Sequence, residues 1–149
     1  MKAKGIHHID LRVTDYHRSI RFYDRILRPL GFTKSHVRGE TVTYYIQGES
    51  SVGIRPVKHR HLRDISYSYK RAGIHHLAIS VRKKEDVDDF YELLKRDGAK
   101  VLHGPMYYPM YARGYYSVFF LDPDGIQLEV LFWSKSQIQR RDSTKEEWA

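Results

Sequence analysis

Residues 5–13 read Gly5-Ile6-His7-His8-Ile9-Asp10-Leu11-Arg12-Val13, and residues 73–81 read Gly73-Ile74-His75-His76-Leu77-Ala78-Ile79-Ser80-Val81. The two stretches match at Gly, Ile, His, His and the final Val, at an offset of 68 residues from Gly5 to Gly73. The same offset carries Phe22-Tyr23 onto Phe90-Tyr91. The repeat therefore extends beyond the opening stretch into the element that follows it. Repetition on this scale decides the architecture before any single element does. Each copy reads as a strand, a helix and then about three further strands.

Within the first stretch, apolar and polar residues alternate with the period of a half-buried strand. Ile9, Leu11 and Val13 share one face; His8, Asp10 and Arg12 share the other. In each copy the first histidine, His7 or His75, falls in phase with the apolar residues. The second, His8 or His76, falls on the opposite face. Thr14 or Asp15 can cap the next element, in which Ile20, Tyr23, Ile26, Leu27 and Leu30 recur at helical spacing until Pro29 and Gly31 stop it. From Phe32 the pattern predicts short strands around turns at Gly39 and Gly48. Thr41–Ile46 pairs with Val52–Val57, and Pro56 marks a strand end or an edge.

In the second copy Val87, Phe90, Tyr91 and Leu94 form the helical stripe and Gly98 ends it. A short strand Lys100–Leu102, a loop Gly104–Gly114 and a strand Tyr115–Leu121 follow. Asp122-Pro123-Asp124-Gly125 then turns the chain into a returning strand, Ile126–Phe132. On that strand Ile126, Leu128 and Val130 share one face, and Gln127 and Glu129 the other. The expected organisation is a single domain over 1–149, made of module 5–57, linker 58–72, module 73–133 and a polar tail 134–149.

Composition narrows the chemistry. The 149 residues include no cysteine, which removes disulfides, thiolate metal sites and cysteine nucleophiles. Any metal must be held by nitrogen and oxygen. No apolar run approaches the ~20 residues of a membrane span, and Met1-Lys2-Ala3-Lys4 leads straight into a strand pattern without an apolar signal region. A cytoplasmic protein with no membrane partner is expected. The formal charge of +8, from 26 Lys and Arg against 18 Asp and Glu, is concentrated in Arg55–Arg71 and Arg140-Arg141 without a nucleic-acid-binding motif. No nucleic-acid partner is expected. Several of the 12 tyrosines fall in 107–116, where they can wall a pocket.

His8, His76 and Glu129 lie on the polar faces of three different strands. Two neutral imidazoles and a carboxylate form a plausible facial ligand set for a divalent first-row metal, with positions left open for water or substrate. At this point the residues carry a resemblance. The Gly-Ile-His-His strands, Arg21-Phe22-Tyr23 leading to Leu30-Gly31-Phe32, and Phe120-Leu121-Asp122-Pro123-Asp124-Gly125 with Leu128-Glu129 resemble the vicinal oxygen chelate superfamily across residues 5–133. That group includes glyoxalases, fosfomycin thiol-transferases, extradiol dioxygenases and bleomycin resistance proteins. The resemblance implies an α+β fold of two tandem βαβββ modules whose mixed sheets curl around a central cleft. It implies His8, His76 and Glu129 as ligands of a divalent ion (Zn, Ni, Mn or Fe). It further implies a small-molecule substrate bound through vicinal oxygens, and a homodimer in which His8 can serve the partner's site.

The chain departs from each subgroup in one respect. A glyoxalase adds a glutamate ligand in the last strand of the first module, and residues 50–63 contain no acid. Fosfomycin transferases share the three-ligand set but usually carry Thr where Asp10 stands. Extradiol dioxygenases need a further acid or base, which His103, Tyr107, Tyr111, Tyr115 or Tyr116 could supply. Bleomycin-binding members lack the ligands kept here. The expected function is a metal-dependent enzyme of lyase or isomerase type, ahead of an extradiol dioxygenase. Tyr116, Arg113 or His103 would position the substrate or move a proton. The alternative is a non-catalytic small-molecule-binding protein of the bleomycin resistance kind.

Overall fold

A computed structural model of the protein describes residues 2–37, 41–58, 67–68, 70 and 72–134. Most of the expected linker and nearly all of the expected tail lie outside the described residues. In chain order the elements are β1 (His8–Val13), α1 (Tyr16–Leu27), β2 (Thr33–Val37), β3 (Thr41–Tyr45) and β4 (Ser51–Pro56), followed by β5 (Leu77–Val81), α2 (Lys84–Arg96), β6 (Lys100–Tyr107), β7 (Tyr116–Leu121) and β8 (Gln127–Phe132). The βαβββ order occurs twice, as the repeat predicts. Each copy forms an open four-stranded mixed sheet, ordered β1-β4-β3-β2 in the first and β5-β8-β7-β6 in the second. The outer pairs β1–β4 and β5–β8 are parallel and the others antiparallel. The chain divides into two compact units, one of residues 1–67 with 123–125 and one of residues 68–122 with 126–149. Among the described residues no helix is long and apolar enough to cross a membrane.

In the first unit Asp15 caps α1, its carboxylate accepting from the Arg18 N–H at 2.9 Å. The helix buries Phe22, Tyr23, Ile26 and Leu27, and the buried strand residues of the same unit include Leu11, Val13, Val42, Tyr44 and Ile54. Tyr44 is fully buried and donates its hydroxyl to Asp24 on α1 at 2.9 Å. The opposite face of the sheet is polar. Asp10 pairs with Arg55 Nε at 2.7 Å and lies over Gly53, its register partner in β4. A Cβ built on Gly53 would collide with Asp10 Oδ1, so the carboxylate occupies the space that a side chain would need.

In the second unit α2 buries Val87, Phe90 and Leu94, and the buried strand side chains in phase with them are Val118, Phe120, Leu128 and Val130. The Phe90 and Phe120 rings lie 5.5 Å apart. Strand β6 corrects the sequence expectation, because it continues to Tyr107 where a loop from Gly104 was expected. Register shifts between Val101 and His103 and again between His103 and Met106 accommodate Gly104 and Pro105. The strand is an edge strand, where a proline and irregular pairing are tolerated.

The Asp-Pro-Asp-Gly turn is closed by Asp122, whose carboxylate accepts from the Ile126 N–H at 2.8 Å while its own N–H reaches the Ile126 carbonyl at 2.9 Å. The turn's tip groups with the first unit. There Asp124 accepts from the Thr14 N–H at 2.8 Å, from the Thr14 hydroxyl and from Arg18 at 2.6 Å.

Adding a methyl at position 53 must displace Asp10 and loosen its pair with Arg55. Gly53→Ala is expected to cost about 1–3 kcal/mol in urea unfolding. In an Asp10→Ala background the same change should cost less than about 1 kcal/mol. Equal costs in both backgrounds would contradict the packing account.

Candidate metal centre

Because Leu128 and Val130 turn into the core, Glu129 emerges on the other face of β8. Its register partners are Ala78 in β5 and Phe119 in β7, and Phe119 in turn pairs with His103 in β6. Ala78, Glu129, Phe119 and His103 thus form a row across the sheet on the face away from α2. Glu129 is 1% exposed. A carboxylate buried to that extent requires strong partners. One oxygen, Oε1, accepts from the Tyr115 hydroxyl at 2.8 Å. The other, Oε2, stands 3.3 Å from His76 Nε2. The His76 ring sits edge-on to Phe119 at 5.9 Å.

An imidazole nitrogen and a carboxylate oxygen turned toward each other suit a divalent ion that takes nitrogen and oxygen donors. Ala78, beside Glu129, presents only a methyl group. Two of the three expected ligands are therefore brought together within the second unit. The third, His8, is exposed on β1 of the first unit. Among the described residues no group of three His, Cys, Asp or Glu side chains is placed to hold a metal ion. Nor do His7 and His75 join the core as their phase suggests. Both precede the strand that their copy opens, and both are exposed. A surface cavity of about 490 Å³, lined by Arg28, Gly31, Phe32, Thr33, Lys34 and His36, holds none of the candidate ligands.

The structure separates the three residues expected to position substrate. His103 lies on the face of Glu129, its ring 6.3 Å from Phe119. Arg113 is exposed in the loop before β7, and its carbonyl accepts from Trp133 Nε1 at 3.3 Å. Tyr116 faces the other way: its hydroxyl donates to Asp88 on α2 at 2.6 Å and Lys84 lies 4.2 Å over its ring. The tyrosine against the carboxylate is its neighbour, Tyr115. Strand parity alone does not decide between them, since Tyr115 is in phase with Phe119 and Tyr116 with Phe120, both apolar.

Tyr108 lies in the tyrosine-rich stretch 107–116, and no periodic signal singles it out there. Its ring packs edge-on to Phe119 at 5.3 Å and stacks on Tyr111 at 5.6 Å. Its hydroxyl is buried without a hydrogen-bond partner among the described residues, as is that of Ser117 on β7. Burial raises the pKa of both Tyr115 and Tyr108, and the Glu129 carboxylate raises it further, through a hydrogen bond and its charge at Tyr115 and through its charge at Tyr108. Both phenols are thereby held in the neutral, donating form. Tyr111 and Trp133 extend the aromatic wall around Tyr115.

The model of the Glyoxalase/Bleomycin resistance protein/Dioxygenase superfamily matches residues 5–130. The chain belongs to this superfamily. Its similar relatives include YqjT, an uncharacterised Bacillus subtilis protein, 31% identical over 85% of this chain and 97% of the relative. A metallothiol transferase FosB of Staphylococcus epidermidis is 32% identical over 85% of this chain and 82% of that protein. Among solved structures, a glyoxylase/bleomycin resistance protein/dioxygenase domain from Frankia superposes with a TM-score of 0.71, at 25% identity over 89% of this chain and 100% of that chain. The superfamily's paired βαβββ copies are those described above.

A raised phenol pKa contributes stability that is complete below the unfolded-state value and is lost as the pH rises through the folded-state value. Stability of the parent should therefore fall as the pH climbs past the ordinary phenol value of 10.0. Tyr115→Phe should fall less steeply over the same window, as measured by urea unfolding at a series of pH values. Parallel curves would show that burial and Glu129 do not raise the Tyr115 phenol.

Proposed function

We propose that the protein is a divalent-metal-dependent enzyme that binds a small oxygenated molecule through adjacent oxygens and transfers a group to it. The observation that carries this reading is the buried Glu129 carboxylate, held by Tyr115 and facing His76 at 3.3 Å. Similarity to metallothiol transferase FosB supports a metal and favours group transfer over the lyase or isomerase chemistry expected from the sequence. His76 and Glu129 would hold the ion with His8 of a second copy of the chain. When bound, the ion supplies positive charge to the substrate's paired oxygens, as a Lewis acid does.

The remaining work falls to the chain's own side chains. Tyr115 holds the carboxylate in one orientation through a hydrogen bond from its hydroxyl. The Tyr108 hydroxyl, buried and without a partner among the described residues, is the donor available to a substrate oxygen. Phe119, buried beside the carboxylate, supplies apolar surface that excludes water, and His103, on the same face, is the candidate to move a proton. Arg113, exposed in the loop before β7, would meet an anionic substrate group, whereas Tyr116 serves the helix side. In thiol transfer a C–S bond forms as a C–O bond breaks, and the thiol proton ends on the departing oxygen.

Elemental analysis tests the ligand set. The parent should retain about one divalent ion per chain, and His8→Ala, His76→Ala and Glu129→Ala should each lose it. A mixture of His8→Ala and Glu129→Ala chains, unfolded and refolded together, should regain part of the metal, because a mixed dimer rebuilds one intact site. A His76→Ala variant that keeps the parent's metal would sink the reading. Metal restored by no mixture would place His8 in its own chain's site. Assay of the loaded parent with fosfomycin and a low-molecular-weight thiol then tests the transfer step.

A further inference from the structure

The two histidine pairs make the same contact. His75 Nδ1 lies 2.7 Å from His76 Nδ1, and His7 Nδ1 lies 2.9 Å from His8 Nδ1. The rings cross edge-on in both, at 76° and 89°. Two lone pairs, or two N–H groups, repel at this separation, so one nitrogen carries the proton and the other accepts it. The backbone leading into each pair is repeated as well. Gly5 and Gly73 take φ of 150° and 147°, a conformation that L side chains rarely adopt. A contact reproduced at both copies, beside both candidate histidine ligands, calls for an account of its own.

We propose that His75 and His7 are positioning residues, each accepting the Nδ1–H of the histidine that follows and so fixing it as the tautomer whose Nε2 lone pair can ligate a cation. This rests on the reading of His76, Glu129 and His8 as metal ligands. A neutral imidazole that binds a metal through Nε2 must carry its proton on Nδ1. That N–H needs an acceptor, and ligand histidines ordinarily donate it to a carboxylate, a backbone carbonyl or water. At both candidate ligands here the facing atom is instead the Nδ1 of the preceding ring.

The assignment then propagates through the pair. If His76 donates from Nδ1, the Nδ1 of His75 is bare, and His75 carries its own proton on Nε2. The Nε2 of His76 then turns a lone pair toward Glu129 Oε2, and two acceptors 3.3 Å apart are reconciled by a cation. Without the ion, the opposite tautomer lets His76 donate to Glu129 from Nε2 while His75 donates to His76. The pair serves both states, and cation binding selects the first. Unlike a carboxylate, a neutral ring does this without adding negative charge to the site.

Nitrogen-15 long-range NMR of the imidazoles in zinc-loaded protein, with zinc affinity from chelator competition, tests the proposal. In the parent, His76 should be protonated at Nδ1 with Nε2 on zinc, and His75 protonated at Nε2. His75→Ala should lower zinc affinity about 10–100-fold. His75→Asn should recover much of that loss, because its amide oxygen can accept near the position of Nδ1. His7→Ala and His7→Asn should behave alike through His8. His75 is exposed, so circular dichroism should be unchanged in these variants. A His75 protonated at Nδ1 in the loaded parent overturns the proposal. So does a His75→Ala variant that binds zinc as the parent does with His76 still on the metal. If zinc leaves the His76 signals unmoved, the ligand reading falls and the proposal falls with it.

Discussion

A buried carboxylate sets the terms for the second unit. Glu129 sits at 1% exposure in the middle of a sheet, between Ala78 and Phe119, with its two oxygens directed to Tyr115 and His76. Removing one partner of a buried charge costs far more than the pair itself is worth. The neighbours of Glu129 are therefore constrained on every side. Tyr115 must reach it, Phe119 must exclude water from it, and the apolar faces of β7 and β8 must pack on α2 so that their other faces are left for this chemistry. A site assembled from strand positions inherits the rigidity of the sheet.

The first unit uses the same arrangement with different residues. Its sheet also buries one face under a helix, and the other face carries His8, Asp10 and Arg55 in place of the glutamate and its aromatic wall. Gly53 is the adaptation on that face, because the Asp10 carboxylate takes the space above it. At the tip of the β7–β8 turn, Asp124 joins the first unit through Thr14 and Arg18. The two aspartates of that turn thus act differently: Asp122 closes the turn and Asp124 anchors its tip.

Much of this was legible in the chain. The duplicated Gly-Ile-His-His stretch and the 68-residue offset lead to paired βαβββ copies, because strand alternation and helical periodicity are local signals that tertiary packing then reinforces. Alternation along Ile126–Phe132 likewise placed Glu129 opposite the core. Sequence is silent where a single step of phase matters. Tyr115 and Tyr116 are adjacent, and choosing between them requires knowing which face of β7 meets α2. It misleads at β6, where Gly104 and Pro105 signal a loop but the edge strand absorbs them in register shifts. The buried hydroxyl of Tyr108 left no periodic trace, since it comes from a turn whose side chain is placed by packing on Phe119 and Tyr111 rather than by strand or helix phase. Nor does any pattern at the level of residues announce that the two rings of a His-His pair will touch through Nδ1.

Thermal unfolding with and without zinc tests most directly whether the charge of Glu129 holds a cation. With free zinc at about 100 times its dissociation constant, the parent should gain about 2.7 kcal/mol of stability. Glu129→Gln, which keeps the shape and removes the charge, should gain almost none. An equal gain in both proteins would place the zinc elsewhere and leave Glu129 as a carboxylate buried for its hydrogen bond to Tyr115 alone.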